Sequence, residues 1–243
     1  MVKKKTESKD PQISKLSEKE DEAFISFGIS ELDALTGGIP RGRITELWGQ
    51  EMVGKTFTLG KIMAGNTDKK ILIIDAEFAL NKERIVGFGA DVGKIDFVQD
   101  ARLERVSELV LGAVGKYDLI LIDSLAFLTP TTVENAEVGE NAIGLFARLI
   151  KHWMVKLRPR LGVSDTAVVI VNQYRTPFGL YAKAEPVGGK AYLHAVDVRL
   201  YLSSNSADKI IKEGVTVGHW VNIEVKKSKV SQPYVKTKYK LEY

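Results

Sequence analysis

Ile44-Thr45-Glu46-Leu47-Trp48 runs directly into Gly49-Gln50-Glu51-Met52-Val53-Gly54-Lys55-Thr56-Phe57, and this stretch decides the fold. An apolar, β-prone run ends at a glycine, a short loop follows, and a helix-length segment opens near residue 54 and continues to about residue 65. Positions 49–56 satisfy G-x-x-x-x-G-K-[ST]. Glycines at both ends let backbone N–H groups curl around phosphate oxygens, and the helix N-terminus adds the positive end of its dipole. Residues 49–57 are therefore read as a nucleotide phosphate cradle. Lys55 reaches the β- and γ-phosphates and the Thr56 hydroxyl binds Mg²⁺. A plain glycine turn with an exposed lysine is the bland alternative; a strand before the loop and a helix after it favour the cradle.

Outward from this loop, apolar runs alternate with helix-length segments. KILIIDAE (70–77), DFVQD (96–100), DLILID (118–123) and TAVVIVNQ (166–173) read as strands, with helices expected near 82–89, 102–116 and 140–158. Strands that are continuously apolar and separated by helices indicate a parallel sheet covered on both faces. After residue 190 the period changes. VDVRLYL (196–202), VNIEVKKSKV (221–230) and YVKTKYKLEY (234–243) alternate in and out, and are expected as antiparallel strands extending the C-terminal edge of the sheet.

Composition narrows the function classes. The 243 residues include no cysteine and three histidines, which excludes disulfides, thiolate zinc sites and cysteine nucleophiles. No apolar run approaches the ~20 residues needed to cross a bilayer, and no apolar segment follows the basic N-terminus, so a cytoplasmic protein without membrane contact is expected. Residues 1–22 carry six Lys against six acidic residues and read as a charged, disordered tail, leaving 23–243 as one globular domain. The formal net charge of +4 is matched by residues 224–243, where six Lys face Glu224 and Glu242. A strand edge guarded by lysine is the plain reading of that stretch; a polyanion-facing surface is the sharper one.

Nucleotide chemistry at this loop asks for a carboxylate at a neighbouring strand end to hold the metal. Asp123 fits, with Asp75 and Glu77 as rivals at the same edge. Glu77 is long enough to reach a γ-phosphate through water and is the candidate to activate that water. Asn172 and Gln173 end the next strand, where Gln173 could bond the γ-phosphate and report its loss. The loop 174–190 carries Arg175, Lys183 and Lys190 interleaved with Phe178 and Tyr181, and has Gly188 and Gly189 near its end. Mobile cations among aromatics suit single-stranded nucleic acid, which offers phosphates and stackable bases. A substrate lid or a disordered loop is the alternative.

ISFGISELDALTGGIPRGRITELWG (25–49), the phosphate loop, IIDAEFALN (73–81), LILIDSLAFLTP (119–130), IVNQYRTPFG (170–179), GGKAYLHAVDVRLYL (188–202) and VKKSKVSQPY (225–234) occur in that order. The set resembles the core ATPase of RecA-type strand-exchange recombinases over about residues 24–243. The resemblance implies an α/β fold: a RecA-like P-loop NTPase core, mostly parallel and flanked by helices. It implies Glu77 as the water-activating glutamate, Asp123 as the metal-holding Walker B aspartate, and Gln173 as the coupler between γ-phosphate and DNA. It also implies residues 131–140 and 174–190 as DNA-binding loops, and Lys227 and Lys229 as lysines that reach a neighbouring subunit's ATP. In the family's adenine-contacting segment, Asn81 and Arg84 depart from its pattern. The family's N-terminal docking element and C-terminal duplex-gathering domain have no counterpart here, so a minimal core is expected.

The resulting expectation is an ATP- and Mg²⁺-dependent recombinase. It would form helical filaments or rings on single-stranded DNA, meet duplex DNA during exchange, and act in homologous recombination and repair. An accessory paralogue that binds ATP and DNA or a recombinase without strand exchange is the second reading, and a hexameric helicase the third.

Overall fold

The structure, a computed structural model, describes residues 23–134, 144–175 and 185–242. The charged tail 1–22 lies outside the described residues. In chain order the elements are β1 (Phe24–Ile25), α1 (Ser30–Thr36), β2 (Ile39–Pro40), β3 (Ile44–Gly49), α2 (Lys55–Gly65), β4 (Ile71–Asp75), α3 (Lys82–Gly87), β5 (Ile95–Gln99) and α4 (Leu103–Ala113). They continue with β6 (Leu119–Asp123), α5 (Thr131–Glu134), α6 (Leu145–Leu161), β7 (Ala167–Arg175), β8 (Glu185–Pro186), α7 (Gly189–Ala195), β9 (Val198–Ser203), β10 (Lys209–Lys212), β11 (Val215–Lys227) and β12 (Lys236–Glu242).

The large sheet runs β10-β11-β9-β3-β7-β6-β4-β5, with β12 on β11 and β8 on β7. Strands β9, β3, β7, β6, β4 and β5 are mutually parallel. β4 and β6 are buried at every position because both faces are covered. Ile73, Leu121 and Val169 pack with Leu59 and Ile62 of α2 on one face. Leu72, Ile74, Ile120, Ile122 and Ile170 meet α4, α6 and α7 on the other. α6 earns its helix by period: Ile150, Trp153, Met154, Leu157 and Leu161 form one buried stripe at i, i+3, i+4, i+7 and i+11.

One sequence expectation is corrected. The strand at 196–202 was expected to be antiparallel, but β9 pairs parallel with β3 and antiparallel with β11, so the antiparallel wing begins one strand later. Alternation reports only that one face is better covered: Val198, Leu200 and Leu202 are buried while Arg199, Tyr201 and Ser203 are half-buried. It carries no information on direction. Direction follows from α7, which returns the chain to start β9 beside the start of β3, where Asp197 N–H donates to the Ile44 carbonyl at 2.9 Å.

Candidate nucleotide site

β3 ends between two parallel neighbours, its Gly49 in register with Gln173 of β7 and Leu202 of β9. A Cβ at Gly49 would lie 2.0 Å from the Leu202 carbonyl oxygen, so only glycine lets the chain leave the sheet here. Gly54 takes φ +100° to start α2, and a Cβ there would meet the Leu241 side chain at 2.5 Å; the antiparallel wing is thus the floor beneath the loop. Between them Met52 stands 97% exposed at the tip. Gln50 is tied to the wing, its Oε1 accepting from Ser204 N–H at 3.3 Å.

Lys55 is buried and folded back on the loop, donating to the carbonyls of Gly49 (3.2 Å) and Gln50 (2.5 Å). Burial lowers the pKa of its ammonium, with Asp123, Glu77 and Glu51 pulling the other way. Thr56 donates its hydroxyl to Asp123 Oδ2 at 2.8 Å. Burial pushes the Asp123 carboxyl up to about 7; Glu77 and Asp75 add to the rise, while the Thr56 bond and Lys55 oppose it. Its other oxygen, Oδ1, is buried without a hydrogen-bond partner among the described residues. A half-satisfied carboxylate beside a threonine hydroxyl fits Mg²⁺, a hard cation that takes one or two carboxylates and completes its shell with water and phosphate oxygens.

Asp123 does not stand on the strand next to the loop. β7 intervenes between β3 and β6, and Gln173 occupies the adjacent strand end. Glu77 Oε1 accepts from Ser124 Oγ (2.6 Å) and from Gln173 Nε2 (3.1 Å), so three strand ends are joined by one carboxylate. Asp75, the rival metal carboxylate, is corrected to a structural role. It is fully buried, accepting from the N–H groups of Glu77 (3.1 Å) and Leu80 (2.9 Å) and from Gln99 Nε2 (3.1 Å), which fixes the turn that carries Glu77.

These groups line a cleft of about 830 Å³. Its lining combines the polar Lys55, Thr56, Asp123, Glu77 and Gln173 with the apolar Phe57, Phe88 and Leu241, and includes Arg84. Phe57 stands edge-on to Phe88 at 6.1 Å and stacks on Tyr239 at 6.4 Å. A cleft lined by cations, carboxylates and aromatic rings suits a nucleotide. The sequence model of the RecA N-terminal domain matches residues 5–243.

The chain belongs to the RecA family. It is 33% identical over 229 residues to Protein RecA of Streptomyces venezuelae and of Streptomyces coelicolor, covering 90% of this chain and 60% of theirs. It is 32% identical over 243 residues to Protein RecA of Streptomyces avermitilis, covering 95% of this chain and 63% of that one. The chain thus spans about 60% of the length of the curated relatives it matches.

Other residues of this RecA-family chain divide into three groups. Asn81 turns out to be a helix cap, its Oδ1 accepting from Arg84 N–H at 2.9 Å, and Arg84 reaches the Ala79 carbonyl at 3.1 Å. Of the expected DNA-binding residues, Phe178, Tyr181 and Lys183 and the side chain of Arg175 lie outside the described residues, as does most of 131–140. Gly188 precedes α7 and Gly189 and Lys190 open it on the surface. Lys227 and Lys229 are turned onto their own chain. The Lys227 ammonium donates to the carbonyls of Leu193 (2.7 Å), His194 (3.2 Å) and Val196 (2.6 Å) at the end of α7, and Lys229 pairs with Asp197 Oδ1 at 3.1 Å. Sequence reasoning missed Ser124, which the Asp-Ser pair could have suggested. It also missed His219, whose Nε2 lies 3.4 Å from the Val53 carbonyl; no local signal marks a histidine on a strand far along the chain.

Proposed function

We propose that this RecA-family chain is an ATPase that assembles on single-stranded DNA, engages duplex DNA in strand exchange and acts in homologous recombination and repair. The observation that carries the ATPase half is the convergence of Lys55, Thr56, Asp123, Glu77 and Gln173 on one cleft. In this reading Thr56 and Asp123 would hold Mg²⁺, which would supply charge neutralisation for the phosphates. Lys55 leaves the Gly49 and Gln50 carbonyls for the same oxygens. Glu77 orients the attacking water and takes its proton. Gln173, bonded to Glu77 and two residues before the end of β7, passes the state of the γ-phosphate to the segment 174–190, which carries Arg175, Phe178, Tyr181 and Lys183 and ends with Lys190 at the start of α7. The loop grips DNA while the phosphate is present and releases it after hydrolysis, an order switch of a kind other NTPases use. Lys227 and Lys229 complete the site from the next protomer, as an arginine finger does.

A second reading, an accessory ATP-binding paralogue that does not form filaments, is favoured by one observation: both lysines are occupied within their own chain. Electron microscopy of the purified chain with single-stranded DNA and a non-hydrolysable ATP analogue, paired with DNA-stimulated ATP hydrolysis, separates the readings. Filaments and a stimulated rate that Lys55→Ala abolishes support the recombinase. Rings support a helicase, and nucleotide binding without assembly supports the accessory protein.

A further inference from the structure

Asp197, between α7 and β9, is fully buried and surrounded by cations. Arg158 Nη1 pairs with its Oδ2, Arg43 Nη1 lies 3.4 Å from its Oδ1, and Lys229 Nζ lies 3.1 Å from the same oxygen. Its Oδ2 also accepts from Ile44 N–H at 3.2 Å, and its carbonyl accepts from Lys229 N–H at 3.2 Å. Two arginines and a backbone N–H already neutralise and solvate this carboxylate, so it does not depend on the lysine. The lysine depends on it: Lys229 is held at backbone and side chain by one residue, yet its side chain stays 41% exposed. Lys227 differs, because its three donors are spent on three carbonyls of its own chain. Three cationic side chains thus share one carboxylate, which leaves a surplus of positive charge around it.

We propose that Asp197 is the positioning residue of Lys229. It anchors Lys229 to the first residue of β3 and presents its ammonium to the phosphates of an adjoining protomer's nucleotide. The proposal rests on the reading that Lys227 and Lys229 act on a neighbour's ATP. Three of Asp197's partners are part-exposed and can turn to water, so Asp197→Asn is expected to fold; Asp197→Ser, smaller and also uncharged, is prepared in parallel. Either variant, as an isolated chain, binds an ATP analogue as the parent does, because the phosphate loop is untouched. In assemblies on single-stranded DNA, kcat falls ~10- to 100-fold, the scale of a misplaced catalytic group, with KM little changed.

A merely structural aspartate could give that loss too, so mixing decides. In a one-to-one mixture with Glu77→Gln, junctions that join Glu77 from one subunit to anchored lysines from the other are intact. Activity should return to about a quarter of the parent's, the share expected for random head-to-tail neighbours. A mixture of Asp197→Asn with Lys227→Ala/Lys229→Ala should show no more activity than Asp197→Asn alone, since both fail on the same side of the junction. If the lysine variant complements Glu77→Gln but the Asp197 variants do not, this proposal falls and the reading beneath it stands. If the lysine variant itself fails to complement while co-assembling, the reading falls first. Failure of both Asp197 variants to fold would make Asp197 a structural counterion and overturn the proposal.

Discussion

The two halves of the candidate site are built differently. The half around the phosphate loop is joined across strands: Thr56 to Asp123, Glu77 to Ser124 and Gln173, and the whole set rests on parallel strands buried on both faces. The lysine half sits at the end of the antiparallel wing: three carbonyls at the end of α7 hold Lys227 and would compete with an incoming phosphate, while Asp197 anchors Lys229 with its side chain still part-exposed. The first half is organised for a ligand within one chain. The second is organised within one chain and, in the proposed reading, serves a neighbour's nucleotide. Preorganisation strengthens binding by removing ordering costs, whereas a tethered group must be released before it can act.

The sharpest way to break this comparison is to remove the second half alone. Lys227→Ala/Lys229→Ala should lower DNA-stimulated hydrolysis by ~10³- to 10⁵-fold, the range of trans-acting cations in other NTPases. Binding of ATP by the unassembled chain, read by fluorescence or calorimetry, should not change; a matching loss of binding would move both lysines into the first half. Glu77→Gln removes the base but keeps the shape, and should cost ~10²- to 10⁴-fold in turnover with ATP still bound and filaments that persist longer. Loss of binding in that variant would make Glu77 structural.

The Asp123 carboxyl sharpens the first half through pH. Its folded pKa of about 7 lies above the ordinary carboxylate value, so Mg²⁺, which needs the ionised form, should bind with nucleotide about tenfold more weakly per unit below pH 7 and level off above it. The same sign governs stability. The contribution of this group to the metal-free chain is fully present below the unfolded value near 4 and is lost as pH rises through about 7, which denaturant melts with and without Mg²⁺ would read. A pH-independent Mg²⁺ affinity between 5.5 and 8 would remove Asp123 from the metal site. The smallest effect belongs to Asn81→Ala. Loss of the cap should cost ~1 kcal/mol in stability and leave nucleotide affinity within about threefold, whereas a base contact would reverse that order.

Most of the first half was legible because its signals are local. The loop spacing, the apolar runs ending in Asp123 and Gln173, and the Asp75-Ala76-Glu77 turn each fall within a few residues. Which of the two neighbouring carboxylates, Asp75 or Glu77, faces the cleft was not legible: Asp75 is taken up by the Leu80 N–H and the Gln99 side chain, which arrive from a turn and another strand, and Glu77 is left on the cleft. The direction of β9 was hidden for a related reason, since alternation registers coverage and not polarity. The seats of Lys227 and Lys229 were the least legible, because their partners lie 31 to 34 residues away in α7 for the one and in Asp197 for the other.

The three carbonyl oxygens that receive the Lys227 ammonium have a consequence for assembly. A cluster of three acceptors around one ammonium resembles the oxygens of a phosphoryl group, and so acts as an internal competitor. If Lys227 must leave α7 to serve a neighbour's ATP, only the fraction of chains with this residue released is competent, and the apparent junction affinity falls by that fraction.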